Sequence, residues 1–350
     1  MIHAAAAGSW ARQRPESPGL WTLAWRRFGR DRVGVASFAV VLLFFALMLA
    51  SGLGLVAADW SREAGVNYAP PTFIGPAAPE RRSAGTESPR GDGAAAANPV
   101  DPLAGVLAEI RAEEGGKTSK AEVKAPTLVF GGDRWGRDVL KKAIKGTETS
   151  MFVGLAAAAL TALLGTVFGA LAGYYGRWID DFFNWFYSIF TAVPYLLLIL
   201  AIAAVLHQKG TMTVILILGL TGWTGIFRLV RAEYLKHKVR EYIQAADAIG
   251  ASHLRRMFVH ILPNVSHVVL VQLSLHVVLF IKSEVVLSFL GFGVGVDTVS
   301  WGSMLNEAQS ELILGYWWQL AAATIAMAVL VTGFSLFTDA LRDALDPKLK

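Results

Sequence analysis

The sequence predicts an all-α, polytopic membrane protein with six transmembrane helices and both termini in the cytoplasm. Three observations predict it. The 350 residues are 54% hydrophobic and only 17% charged, with a mean hydropathy of +0.46, which is more apolar than soluble domains are. The apolar residues gather in runs that can cross a hydrocarbon layer, which takes about 20 helical residues. Lys and Arg crowd the polar segments on one side of those runs. The runs are too continuous for barrel strands, and a lipid-exposed backbone must satisfy its own hydrogen bonds, so the spans are helices.

The runs are Val33–Ala57, Thr149–Tyr175, Phe182–Leu206, Thr211–Val230, Val265–Leu290 and Trp318–Leu341, the fourth being the shortest. Orientation follows from the short loops. Arg12, Arg14, Arg26, Arg27, Arg30 and Arg32 hold the N-terminal segment, residues 1–32, in the cytoplasm. Four crossings later Arg231, Lys236, Lys238, Arg240, Arg255 and Arg256 fall on the same side, whereas Gly291–Trp317 has neither Lys nor Arg. The tail, residues 342–350, carries Arg342, Lys348 and Lys350. The first span, 33–57, is too long for the apolar stretch of a signal peptide, about 7–15 residues, and is read as a membrane helix. Before it, Trp21, Trp25 and Phe28 at i, i+4, i+7 with Arg26, Arg27 and Arg30 among them predict a short helix in the membrane interface.

Residues 58–148 form a non-cytoplasmic insert. Its first part, to about Pro102, is rich in Pro, Gly, Ala and charge, which predicts a mobile stretch without a core. Val106–Glu114 has the pattern of one amphipathic helix. Residues 149–341 make a five-helix core with a cytoplasmic loop at 236–264.

Composition excludes several functions. There is no cysteine, so neither a disulfide framework nor a Cys-based zinc site exists. The net charge of +5 sits at span ends and forms no basic stripe for nucleic acid. Gly116-Lys117-Thr118 resembles the end of a phosphate loop, but Arg111 stands where that motif needs glycine and no strand leads in. Asn264-Val-Ser266 lies on the cytoplasmic side, away from glycosylation. His253, His260 and His267 are seven apart and bring no third ligand, so no metal site is expected. No nucleophile–base constellation appears, and no catalysis is expected of this chain.

Four features carry function or packing. In the cytoplasmic loop, Glu241, Ala245, Ala246 and Gly250 are followed, after eleven intervening residues, by Leu262-Pro263. This reads as a short helix, a glycine break and a second short helix, with Ala245, Ala246 and Ile249 on one face where small side chains admit another surface. Gly250 permits positive φ, and Pro263 suits the first turn of the fifth membrane helix. Glu284 and Lys282 are the charges inside the fifth span; an intramembrane ionisable group faces a cavity or a partner. Glu284, with Ser288 and Trp301, therefore reads either as translocation path or outer gate, or as a cap on the Gly291-Phe-Gly293 turn or a bond to a neighbouring helix. Lys282, two residues away, points elsewhere and can snorkel outward. Gly165, Gly169 and Gly173 form a small-residue stripe for close helix packing, and Pro194 kinks the third span.

These strings, in this order, resemble a known family. Glu241…Ala245-Ala246…Gly250…Leu262-Pro263 is similar to the coupling loop of bacterial ABC importer permeases. Trp25-Arg-Arg-Phe28, Gly132-Asp133-Arg-Trp-Gly136-Arg137-Asp138, Ala192-Val-Pro194-Tyr-Leu196-Leu197, Glu284-Val-Val-Leu287-Ser288-Phe289-Leu290-Gly291, Ser300-Trp301-Gly302-Ser303-Met304-Leu305 and Leu341-Arg342-Asp343-Ala344-Leu345-Asp346-Pro347 resemble the C-type membrane subunit of the dipeptide/oligopeptide/nickel branch. The resemblance covers roughly residues 20–57 and 127–350. Lys141, Lys142, Lys145, Lys282 and the long insert depart from it. It implies a type I importer permease in the bacterial inner membrane that moves peptides, with nickel or another small solute as the alternative. It also implies a second homologous permease subunit, two ATP-binding subunits holding ATP and Mg, and a periplasmic solute-binding protein, with no cofactor on this chain. A stand-alone ion-coupled transporter would explain the spans and Glu284 but not the ordered strings; it also predicts inverted repeats, which are not apparent.

Overall fold

The computed structural model describes residues 25–76, 124–295 and 297–345. Trp21, the stretch 77–123 with the Val106–Glu114 helix and Gly116-Lys117-Thr118, and the last five residues lie outside that set. Among the described residues five helices are long and apolar enough to span a membrane, or six when a pair bent by 83° is counted as one span. Among the described residues β pairing is limited to isolated bridges.

Helix α1, Arg32–Gly52, starts where the Asp31 carboxylate accepts from the Val33 amide. It stops before the expected Ala57, because Gly54 and Ala57 take positive φ. Helix α2, Val139–Tyr175, begins well ahead of the expected Thr149, since Asp138 caps it by accepting from the amides of Leu140 and Lys141. At about 1.5 Å per residue its 37 residues span roughly 55 Å. It is the central helix and touches α1 and most of the elements named below.

The third span is two helices, α3 Arg177–Thr191 and α4 Tyr195–Leu206, bent by 83°. The break falls at the expected Pro194, whose ring removes an amide donor and crowds the preceding turn. The fourth is α5, Thr211–Thr221, and α6, Thr224–Lys238. Together their 28 residues make it longer than the hydropathy run suggested. The Trp223 ring is buried at their junction among Phe168, Phe186 and Phe190. The loop helix α7 is Glu241–Ala248. The fifth span, α8, is Leu262–Phe289, preceded by a helical turn His253–Arg255 and a π-helical stretch Arg256–Ile261. A short α9, Trp301–Ile313, and the long α10, Trp318–Leu345, complete the chain.

Two expectations are corrected here. The first part of the insert is not without structure over its described residues, which end at 76. Its first part folds back on its last: the Gly65 amide donates to the Gly136 carbonyl at 2.9 Å and the Val66 amide to Ala125 at 3.0 Å, while Tyr68 stacks on Tyr316 at 4.4 Å. Backbone pairing and an aromatic contact order a segment whose composition argued against order. The N-terminal apolar face also divides. Trp25 is 70% exposed, but Phe28 is buried edge-on against Phe38 at 5.8 Å and Phe337 at 6.0 Å. Phe28 joins the protein core because α1 and α10 lie side by side.

Candidate functional site: the cytoplasmic loop and the outer polar network

The cytoplasmic loop departs from the expected geometry in two ways. Ala245, Ala246 and Ile249 do not share a face. Ala246 is buried with Ile243, whereas Ala245 is exposed and Ile249 is 85% exposed. Adjacent helical positions diverge by about 100°, so one alanine packs α7 onto the fold while its neighbour faces outward. Val239, Leu254 and Val259, on the segments flanking α7, are exposed as well.

The second difference is that no separate short helix follows Gly250. The glycine has φ +80 with open space at its missing Cβ, and the Ser252 hydroxyl then caps a new helix by accepting from the Arg255 amide. That helix runs unbroken from His253 to Phe289, 37 residues. Leu262 and Pro263 open its regular α-helical part, α8, with the proline in the first turn as expected. The π-helical turn Arg256–Ile261 widens the backbone ahead of the proline, which accommodates its missing donor without ending the helix. Arg256 pairs with Asp247 on α7, tying the loop helix to the rod, and the buried Tyr234 hydroxyl donates to the Met257 carbonyl at 3.1 Å. His260 and His267 thus lie on one rod, and among the described residues no group of three potential ligands forms a metal site.

At the other end of the rod Glu284 is fully buried. The Ser150 hydroxyl of α2 donates to it at 2.7 Å, and Ser288, one turn on, donates at 2.7 Å. The Ser150 oxygen accepts from the Trp301 amide at 3.3 Å, and the Ser288 oxygen accepts from Val294 at 3.3 Å. The Trp301 indole donates to the Ala143 carbonyl at 3.0 Å. Glu284, Ser288 and Trp301 are thereby brought together, and all three are buried within the subunit. Lys282 lies on the opposite, exposed side of α8.

The glycine stripe meets α6. A Cβ at Gly165 would come 2.7 Å from that of Ile226, one at Gly169 2.8 Å from the Phe227 carbonyl oxygen, and one at Gly173 2.7 Å from that of Arg231. These glycines set the distance between α2 and α6. Arg231 also clamps α3 by a two-pronged bond to Asp180 at 2.5 and 2.6 Å.

One cluster escaped the sequence reading. Lys142 is wholly buried and donates to Asp133 at 2.9 Å, Glu307 at 2.5 Å and the Gln319 side-chain oxygen at 3.3 Å. Beside it Glu311 is buried with neither carboxylate oxygen partnered. The only sequence signal was the run Lys141, Lys142, Lys145. Its neighbours pair locally, Lys141 with Asp59 and Lys145 with Glu148, while the partners of Lys142 on α9 and α10 are more than 160 residues away.

A bundle of this kind, with a short loop helix tied to the base of a spanning rod and a second short helix bonded across the rod's other end, is the architecture of a multi-pass membrane protein. The chain belongs to the family described as binding-protein-dependent transport system inner membrane components, whose model matches residues 165–350, and it is a multi-pass protein of the bacterial inner membrane. It is 37% identical over 221 residues to the dipeptide transport system permease protein DppC of Bacillus subtilis, covering 63% of this chain and 69% of the relative. It is 38% identical over 221 residues to the oligopeptide transport system permease protein OppC of the same organism, covering 63% and 72%. The glutathione transport system permease protein GsiD of Pectobacterium atrosepticum is 34% identical over 221 residues, covering 63% and 73%.

Proposed function

We propose that the chain is one of two membrane subunits of an ATP-driven importer for short peptides, and that it receives the work of ATP hydrolysis through α7. The observation that carries this reading is the continuity of the helix from His253 to Phe289. Arg256 and Ile243 fix α7 to the base of that rod. A force on the exposed Ala245–Ile249 face therefore reaches the Glu284 end without crossing a flexible joint.

Glu241, Ala245 and Gly250 present the docking edge. Ala246 holds α7 against the fold, and Leu262 and Pro263 lie in the rod that transmits the motion. Glu284, Ser288 and Trp301 act as the outer gate's positioning cluster: they bind the rod to α2 and α9, so a movement of the rod moves the outer surface with it. The names of the relatives, which transport dipeptides, oligopeptides and glutathione, support a peptide substrate. ATP and Mg belong to separate ATPase chains, and a periplasmic binding protein presents the solute.

The test is affinity purification of the tagged chain from its native membrane, with mass spectrometry of what accompanies it. A second permease and one or two ATPases are expected, and Ile249→Asp should release the ATPases while keeping the second permease. A chain that arrives alone, or only with copies of itself, would sink the reading.

A further inference from the structure

Between the cytoplasmic end of α2 and the loop helix α7 lies a pocket of about 320 Å³ that the permease reading does not use. Its walls include Tyr174 and Tyr175 from α2, Lys238 from the end of α6, Asp247 from α7, and His253 and Arg256 from the base of the rod. We infer that this pocket holds the phosphate of an anionic lipid headgroup from the inner leaflet.

Among the described residues, Arg256 and Lys238 each keep a donor without a hydrogen-bonded or ion-paired partner. Arg256 is only 11% exposed, and its buried Nε has no hydrogen-bond partner. Its other nitrogens engage Asp247 and, at 3.0 Å, Nδ1 of His253. Guanidinium can only donate, and the Tyr174 hydroxyl also meets that Nδ1 at 3.0 Å. Nδ1 is therefore the acceptor, and the ring carries its proton on Nε2. Lys238 has no ion-pair partner among the described residues; its ammonium lies 6.0 Å over the Tyr174 ring.

Three sources of negative charge oppose an anion. Asp247 engages one edge of Arg256, and the C-terminal ends of α2 and α6 contribute partial negative charge. Lys238 together with the free Nε–H outweighs them. Depth selects the source of the phosphate. Tyr174 and Tyr175 end a spanning helix on its positively charged side, where aromatic side chains sit at headgroup level, and basic pockets between helices on that side take anionic headgroups. Binding does not depend on the coupling role proposed for α7; only its consequence for transport does.

The test uses the full-length chain, delipidated in detergent and titrated with phosphatidylglycerol, phosphatidylcholine or inorganic phosphate under native mass spectrometry. Phosphatidylglycerol should bind more tightly than phosphatidylcholine. Lys238→Gln and Arg256→Gln should each weaken it about fivefold, and Asp247→Asn should strengthen it. Arg256 also anchors α7, so Lys238→Gln carries the test if Arg256→Gln does not fold. Competition by millimolar inorganic phosphate would overturn the lipid in favour of a free anion. Equal phosphatidylglycerol binding by the parent and a folded Lys238→Gln variant would overturn the site.

Discussion

Ser150 on α2 donates its hydroxyl to the buried carboxyl group of Glu284 on α8 at 2.7 Å, joining two helices whose residues are 134 positions apart. The same Ser150 oxygen receives the Trp301 amide, so one hydroxyl couples α2, the rod and the outer helix α9. Glu284→Ala removes the acceptor of two buried hydroxyls and leaves a cavity, and should destabilise the purified chain by about 2–4 kcal/mol. Glu284→Gln keeps an acceptor and should lose less than half of that, with transport near the parent's. Thermal unfolding and peptide uptake by the reconstituted importer measure both. A folded Gln variant that no longer transports would show that the carboxyl group acts on the solute.

Gly169 allows the α6 backbone to approach where side chains would keep it away. In Gly169→Ala the new methyl meets the Phe227 carbonyl oxygen at 2.8 Å and the Arg231 nitrogen at 3.0 Å, and backbone atoms in a packed helix have little room to retreat. The expected loss is about 1–3 kcal/mol, larger for Gly169→Val, read as a lowered unfolding temperature. An unchanged midpoint would place the α2–α6 contact elsewhere.

Gly250 is a different case, since nothing lies within 4 Å of its missing Cβ. The effect of Gly250→Val is conformational: at φ +80 a β-branched residue is strained by about 1–2 kcal/mol. The chain should fold and assemble while ATP hydrolysis becomes uncoupled from uptake. Parental transport by this variant would remove Gly250 from the coupling assignment.

Glu311 gives a pH dependence of known sign. Burial raises its pKa from 4.5 to about 7; Asp133 and Glu307 push the same way and Lys142 opposes them. The folded chain therefore holds this proton more tightly than the unfolded chain does. That stabilisation is complete below the unfolded value of 4.5 and is lost as pH rises through about 7. Melting temperatures taken from about pH 5 to about pH 8 should fall for the parent and fall less for Glu311→Gln. Parallel profiles would exclude Glu311 as the titrating group.

Local backbone signals were legible in sequence. Gly250 permits the positive φ it adopts because it lacks a Cβ, and Pro194 marks a break because its ring has no amide hydrogen. Pro263 stands in the first turn of α8, as a proline ahead of an apolar run suggests, but the π-helical turn before it carries helical backbone back to His253, and nothing in the residue types alone specifies that extra backbone width. Ala245 and Ala246 show the same limit: helical spacing fixes the angle between them but not which one the fold will cover.

The sequence by itself determined the all-α multi-pass class and the family, because hydropathy and ordered motifs belong to contiguous residues. Tertiary structure alone decided that Glu284 binds Ser150, that Lys142 is buried against Glu307 and Gln319, and that Gly169 faces Phe227. A buried polar or small residue declares only that it needs a partner or a close approach. Which residue answers it is fixed when distant helices pack and water is excluded between them.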